Sequence, residues 1–419
     1  MIFDLDNWQE IAAAMHKNKL RTALTAFGVF WGIFMLVIML GSGAGLRNGV
    51  MEEFKGTATN SFFMWTQVTS KPYKGLQPNR HYDFTTEDGV ALKQNIPELK
   101  IVAPMNQLGG YESENNVVRG LKTAAFSVYG IHPQLALIQQ FNLIEGRFIN
   151  AFDIRDSRKV AIVGERVIDK LFAPGENPMG QYIKINGVNF MVTGTLRGAG
   201  KGDQARQQAE SIYLPFTAFS QAFNRGNRVG WFSVMSAANV PATLAEEKAM
   251  ALLKERHKIA PDDARAIGHW NMEVEFNKLH GLFTGIELLV WFVGIGTLMA
   301  GIIGVSNIML IVVKERTREI GVRRAIGAPP SAIVSQLIME SVTLTSVAGY
   351  TGLVAGIGLL ELVNKSLPPG GINMFVHPGV DLTVALKALG ILILSGALAG
   401  LIPAQRALEI SPVEALRIE

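Results

Sequence analysis

The chain has 419 residues, of which 48% are apolar and 18% charged, with a formal charge of +4 at pH 7. That balance excludes a disordered or collagen-like chain and leaves no basic patch large enough for a nucleic-acid partner. There are no cysteines, so no disulfide constrains the chain and cysteine usage carries no evidence about its compartment.

Trp8, Ile11, Ala12, Met15 and Leu20 recur at helical spacing, with Gln9, Glu10, His16 and Lys19 between them. The pattern predicts an amphipathic helix over 1–21 lying at a membrane interface. Uncharged runs follow at Thr22–Leu46, Leu288–Val313, Ser341–Leu360 and Ala388–Gln405. Each is near the roughly 20 apolar residues of a membrane-spanning helix, which excludes a soluble protein and predicts spans over 22–46, 283–313, 333–362 and 383–405. The first run is longer than the roughly 15-residue core of a signal peptide, so it is expected to stay as a span.

Residues 47–282 are mixed and charge-bearing, long enough to bury a core of their own. Tyr182–Leu196 is β-branched on both sides of Asn186-Gly187, which predicts a hairpin with a type I′ turn. Strands are expected at Ser61–Thr69, Val117–Gly130, Val160–Val163, Ile212–Leu214 and Phe232–Met235, and helices at Thr86–Asn95, Glu165–Phe172, Phe216–Phe223 and Ala242–His257. Gly-rich, charged Arg197–Arg206 reads as a mobile loop. From Met272 to Val313 there is no proline, and a continuous helix of that length would be about twice the ~30 Å hydrocarbon core, leaving a stalk outside it.

Basic residues fix the orientation. Lys17, Lys19 and Arg21 precede the first span; Lys314, Arg316, Arg318, Arg323 and Arg324 crowd the segment 314–332 between the second and third; Arg406 and Arg417 follow the fourth in the tail 406–419. The loop 363–382 carries Lys365 as its only Lys or Arg. Four crossings with both termini cytoplasmic place all the basic segments inside and put 47–282 outside.

Catalytic patterns are missing. Gly198-Ala-Gly-Lys-Gly-Asp203 fails as a phosphate loop because Thr195 stands where the first glycine should be and Gly202 replaces the hydroxyl that meets magnesium. The seven histidines are scattered, and Ser306 misses a nucleophile elbow. Of the carboxylates near spans, Glu287 and Glu361 fall at interfaces, whereas Glu340 lies deeper, where a structural bond to a neighbouring helix is expected over proton relay. Gly352 with Gly356, and Gly396 with Gly400, sit at the spacing that lets helices approach closely, within one chain or across a dimer seam.

The segment Lys314-Glu-Arg-Thr-Arg-Glu-Ile-Gly-Val-Arg-Arg-Ala-Ile-Gly-Ala328 is a short charged helix ending at glycine and Pro329-Pro330. It suits either an acidic, grooved partner or a simple positive-inside anchor. Together with Asn18–Thr25, Gln336–Gly358 and Pro403–Arg417, it resembles the permeases of MacB-type ABC transporters, the mechanotransmission superfamily that also holds lipoprotein-releasing and FtsX-like cell-division members. Glu145-Gly-Arg-Phe148, Val160–Gly164, Leu171-Phe172 and Pro178–Ile185 resemble that family's periplasmic core.

The resemblance implies a membrane protein of the bacterial inner membrane, with four transmembrane α-helices and a large mixed α/β periplasmic domain inserted between the first and second. It implies two permease chains, a homodimer favoured over a heterodimer, with two ABC ATPase subunits on separate chains that bind ATP and magnesium; this chain would be no enzyme and bind no cofactor or metal. Arg316, Arg318, Glu319, Ile320, Arg323, Arg324 and Ile326 become the ATPase-docking set, and Ile320→Asp is expected to uncouple transport while leaving insertion intact. The function implied is efflux of drugs, peptides or lipids through a periplasmic adaptor and a TolC-like outer-membrane channel. The alternatives are lipoprotein release and a signalling or cell-wall regulator without transport.

Overall fold

The computed structural model describes residues 19–54, 56–110, 113–199, 203–368 and 375–409. The amphipathic helix expected over 1–21 lies outside these residues except at its last three, as does most of the tail 406–419. The chain divides into two compact units, residues 51–280 and residues 1–50 with 281–419.

After the long helix α1 (Lys19–Phe54), unit 51–280 begins with β1 (Ser61–Thr66), β2 (Phe84–Thr85), α2 (Thr86–Asn95) and β3 (Leu99–Gln107). The run 117–130 is not one strand. It is a hairpin of β4 (Asn115–Arg119) and β5 (Lys122–Ile131), because Gly120 takes a left-handed φ of 57° and turns the chain. A 3₁₀ turn (Pro133–Leu137) leads to β6 (Asn142–Gly146), α3 (Ala151–Arg155), β7 (Val160–Gly164) and α4 (Glu165–Leu171). The predicted hairpin is β8 (Tyr182–Ile185) and β9 (Val188–Arg197), with Asn186 and Gly187 both at positive φ as a type I′ turn requires.

The expected mobile loop at 197–206 is corrected at both ends. Arg197 closes β9, and α5 (Asp203–Ala209) begins inside it; residues 200–202 lie outside the described set. The unit ends with β10 (Ser211–Pro215), α6 (Phe216–Ala222), β11 (Arg228–Val229), β12 (Trp231–Ser236), α7 (Ala242–Arg256) and β13 (Ile267–Asn271).

Eleven strands form one mixed sheet in the order β10-β7-β9-β8-β4-β5-β3-β12-β1-β13, with β6 on β9 and a further β10–β5 pairing. β5 makes this topology. Its first half pairs with β4, while its second half lies between β3 and β10, so six strands close into a ring and β3, β12, β1 and β13 continue as an open wing. Period-two alternation assigns the faces. On the wing, Phe62, Met64, Phe232 and Val234 point to one side and pack against Leu92 of α2 and Ala245, Ala249 and Leu253 of α7. Inside the ring, Val117, Phe126, Val163, Ile183, Phe190 and Ile212 make a second core with Phe219.

The Glu145-Gly-Arg-Phe148 motif is explained by packing. Gly146 has φ 83° and abuts the backbone of Thr193 and Gly194, leaving no room for a Cβ. Arg147 then reaches buried Asp153 with two hydrogen bonds, of 2.6 and 2.9 Å, while Asp153 and Asn150 form the capping box of α3.

Asp88 is a second buried anchor. Thr85 caps α2 through it, Arg256 donates to it at 2.7 Å, and His257 Nε2 lies 2.8 Å away. Burial pushes its carboxyl up, but the bonds from His257, Arg256 and the Thr85 N–H outweigh burial and hold it well below the usual carboxylate range. Asp88→Asn is therefore expected to destabilise the unit by about 3 kcal/mol near neutral pH. Because the folded value is depressed, the wild-type advantage is complete above the unfolded value of about 3.9 and fades as pH falls through the folded one. Thermal unfolding of both full-length proteins from pH 7 downward checks this, and a gap that widened on acidification would refute it.

The other unit holds α1, α8 (Met272–Glu315), α9 (Thr317–Ala325), α10 (Pro330–Ser366) and α11 (Leu382–Leu408). Thr22–Glu52, Met272–Glu315, Pro330–Ser366 and Thr383–Leu408 are long and apolar enough to cross a membrane. Val29, Ile33 and Leu36 pack with Leu298, Val305, Leu337, Leu353 and Leu392, whereas Phe27, Phe292, Ile303, Leu394 and Ile402 stay exposed. Hydrocarbon solvates such a surface and water does not, and helices satisfy their own backbone within it.

Candidate functional site

The segment between α8 and α10 is built by local rules. α8 ends where Arg316 leaves helical geometry, with φ −100° and ψ 15°. α9 follows for two turns and stops at Gly327, whose φ of 104° lets Ala328 N–H bond back to the Arg323 carbonyl at 3.0 Å. Pro330 then starts α10 at the first helical position, where a missing N–H costs nothing.

Three arginines fix this helix to the rest of its unit. Arg316 Nη1 lies 3.5 Å from Glu340 Oε2 of α10, and its Nε lies 3.9 Å from Glu319. Arg323 pairs with Glu319 at 2.9 Å and donates to Gln336 at 3.0 Å. Arg324 donates to the Leu408 carbonyl at 2.9 Å, occupying a terminal carbonyl of α11. Glu340 is thus the buried end of an ion pair.

Ile320 is corrected. It is 7% exposed and belongs to the unit's core, so it anchors α9 from beneath and cannot be offered to a partner. Two residues along a helix rotate the side chain by about 200°, so Ile320 and Val322 could never share a face. The outward face is Arg318, Val322 and Ile326, at successive four-residue steps, with Ala325 beside them; Ile326 is 82% exposed. Val322 was missed in the sequence because it sits between two apolar neighbours of opposite orientation.

The four glycines meet helices of the same chain. A Cβ at Gly352 would lie 2.5 Å from the Phe30 carbonyl oxygen of α1, and one at Gly356 would lie 2.8 Å from Val37. At Gly396 and Gly400 it would lie 2.9 Å from Val342 Cα and 3.1 Å from Ile338 Cα. Ser341 Oγ crosses that contact to donate to the Gly396 carbonyl at 2.8 Å. Among the described residues, no group of three His, Cys, Asp or Glu is placed to hold a metal ion.

Four apolar helices, an α/β unit inserted after the first, and a short charged helix before the third fit a membrane-embedded permease. Residues 22–256 match the family of MacB-like periplasmic core domains and residues 291–412 match the FtsX-like permease C-terminal family, and the chain belongs to this MacB/FtsX-like ABC permease family. Its relatives include the pyoverdine export ATP-binding/permease protein PvdT of Pseudomonas putida, 31% identical over 99% of this chain and 60% of the relative. The macrolide export ATP-binding/permease protein MacB of Rhodospirillum rubrum is 29% identical over 97% of this chain and 59% of its own. The chain therefore spans about 60% of the length of these curated relatives. The periplasmic region of MacB from Actinobacillus actinomycetemcomitans is a structural neighbour with 22% identity and a TM-score of 0.43, covering 55% of this chain and 97% of that one.

Proposed function

We propose that this chain is the permease subunit of an ABC exporter, paired with a second permease chain and worked by two separate ATPase subunits that dock on α9. The observation that carries the reading is the Arg318–Val322–Ile326 face, an apolar stripe with a positive charge that stays exposed among the described residues of its unit, on a helix held from behind by Arg316, Ile320, Arg323 and Arg324. A rigidly mounted exposed knob suits the transfer of force better than a plain positive-inside anchor does. In this reading both termini are cytoplasmic in the inner membrane and 51–280 is periplasmic. ATP and magnesium sit on the partner, and ATPase closure displaces α9 together with α8, whose hydrogen-bonded backbone resists bending. The export role in the names of PvdT and MacB supports efflux over lipoprotein release or signalling; an adaptor and outer-membrane channel would complete the path in this reading.

The absence of native cysteine makes the test direct. Ile326→Cys in the full chain is expected to cross-link, in its own host membrane, to a subunit carrying Walker motifs, and the purified permease alone is expected to turn over no ATP. Cross-linking only to lipid, or ATP turnover by the contaminant-free chain, would defeat the reading.

A further inference from the structure

Part of the wing's second face packs against Leu135, Ile138 and Ile149 in a third core, and the rest of it opens on a cleft. Directly paired residues share a face of a sheet, so the strand registers can be followed across it. Tyr213 of β10 pairs with Tyr129 of β5, and Tyr129 with Gln107 of β3. Met105, two residues from Gln107, pairs with Trp231 of β12, which pairs with Trp65 of β1. Phe63, two residues from Trp65, pairs with Trp270 of β13. Across six adjacent strands this face carries Tyr213, Tyr129, Trp231, Trp65, Phe63 and Trp270, with Gln107 and Met105 of β3 between the tyrosines and the tryptophans.

Gly268, opposite Trp65, leaves its face open to that indole, since a Cβ there would collide with the ring. Gln139, Gln204, Gln207 and Gln208 approach from the far side and enclose a cleft of about 810 Å³, within the range of small-molecule sites. Gln204 and Gln208 are held in place by bonds to Thr57, Gln140 and Ala199.

Two donors on this cleft are left without an acceptor. Gln107 is 4% exposed, and its buried Nε2 has no hydrogen-bond partner; the Arg225 Nε is buried and equally unmatched. A buried donor with no acceptor is costly, and sites of this kind gain when a ligand supplies one. Among the described residues no carboxylate lines the cleft, so Arg225 has no counter-charge there. The chemistry asks for an acceptor-rich, negatively charged head and a flat apolar body.

We infer that this cleft is a binding site for an anionic, amide-bearing aromatic molecule of drug-like size, its carboxylate on Arg225, a carbonyl on Gln107 and its ring system on the Trp65–Trp231–Trp270 floor. As cargo for the exporter it rests on the function proposed above; as a binding site it stands on its own. Cations are disfavoured despite the aromatic rings, because Arg225 repels them and no carboxylate compensates.

The test uses the full chain in lipid nanodiscs and N-dansyl-glycylglycine, whose dansyl group accepts energy from tryptophan, beside the same compound with its carboxylate converted to an amide. The acid is expected to bind saturably and about tenfold more tightly than the amide. Arg225→Gln should remove that preference, and Gln107→Leu should weaken both probes. Lack of saturable binding, equal affinity for acid and amide, or an acid preference that survives Arg225→Gln would each overturn the inference. Since the assay needs neither ATP nor a partner, binding without transport would refute the export function alone, and transport without binding would refute the cleft alone.

Discussion

Ile326→Asp is expected to abolish the docking of the ATPase while the permease still folds and inserts. Ile326 is 82% exposed beyond the end of α9, so a carboxylate there meets water and costs the isolated chain almost nothing. In the complex the same carboxylate would have to be buried against the partner, and losing a central apolar anchor of an interface costs about 2–4 kcal/mol before that desolvation is counted. Binding should fall by at least about thirtyfold. Ile320→Asp has a different expected outcome. Ile320 is 7% exposed in the core, and aspartate there removes the support under α9 and is expected to lower the melting temperature and yield of the permease itself. The measurements are the amount of ATPase that copurifies with each variant and the thermal unfolding of the permease alone. If Ile326→Asp retained the wild-type amount of ATPase, the outward face of α9 would not be the docking surface.

Gly352→Val is expected to disrupt the membrane unit outright. Its Cβ would lie 2.5 Å from the Phe30 carbonyl oxygen, which is backbone and cannot swing aside as the end of a side chain can. Overpacking costs about 1–3 kcal/mol when side chains adjust and more when helices must part. The effect is sharper in lipid, where helix association depends on close contact. Gly358→Val is the matched control: it has nothing within 4 Å of the added carbon, and its side chain would face outward. Thermal aggregation in detergent should drop by many degrees for the first variant and hardly at all for the second. Equal behaviour of the two, or a change in oligomeric state without loss of monomer stability, would move Gly352 from an intrachain contact to a dimer seam.

The sequence carried the signals that act locally. Continuous apolar length announced the four helices, and neither the glycines at 43, 45 and 49 nor the absence of partners in the pattern prevented α1 from reaching Phe54. Asn186-Gly187 specified its hairpin because two successive positive φ angles are something few residue pairs supply. The start of the helix Thr86–Asn95 is a local signal, because its capping box of Thr85 and Asp88 lies within four residues of sequence. By contrast β3 and β13 carried too few cues: β3 contains Pro104, which weakens a strand pattern, and Gly268 interrupts β13.

Missing those two strands hid the cleft, because its floor exists only when Met105, Gln107 and Trp270 are set in register beside Trp231, Trp65 and Tyr129. On α9, composition alone could mark Ile320, Val322 and Ile326 as apolar but could not say which faces out. By itself the sequence determined that the chain carries four helices apolar enough to span a membrane and which family pattern it follows, since these depend on run length and motif order. Only the tertiary structure decided that Ile320 looks inward, that Arg316 and Glu340 meet, and that two unmatched donors face a shelf of indoles, because each of these is a relation between residues far apart in the chain that packing alone brings together.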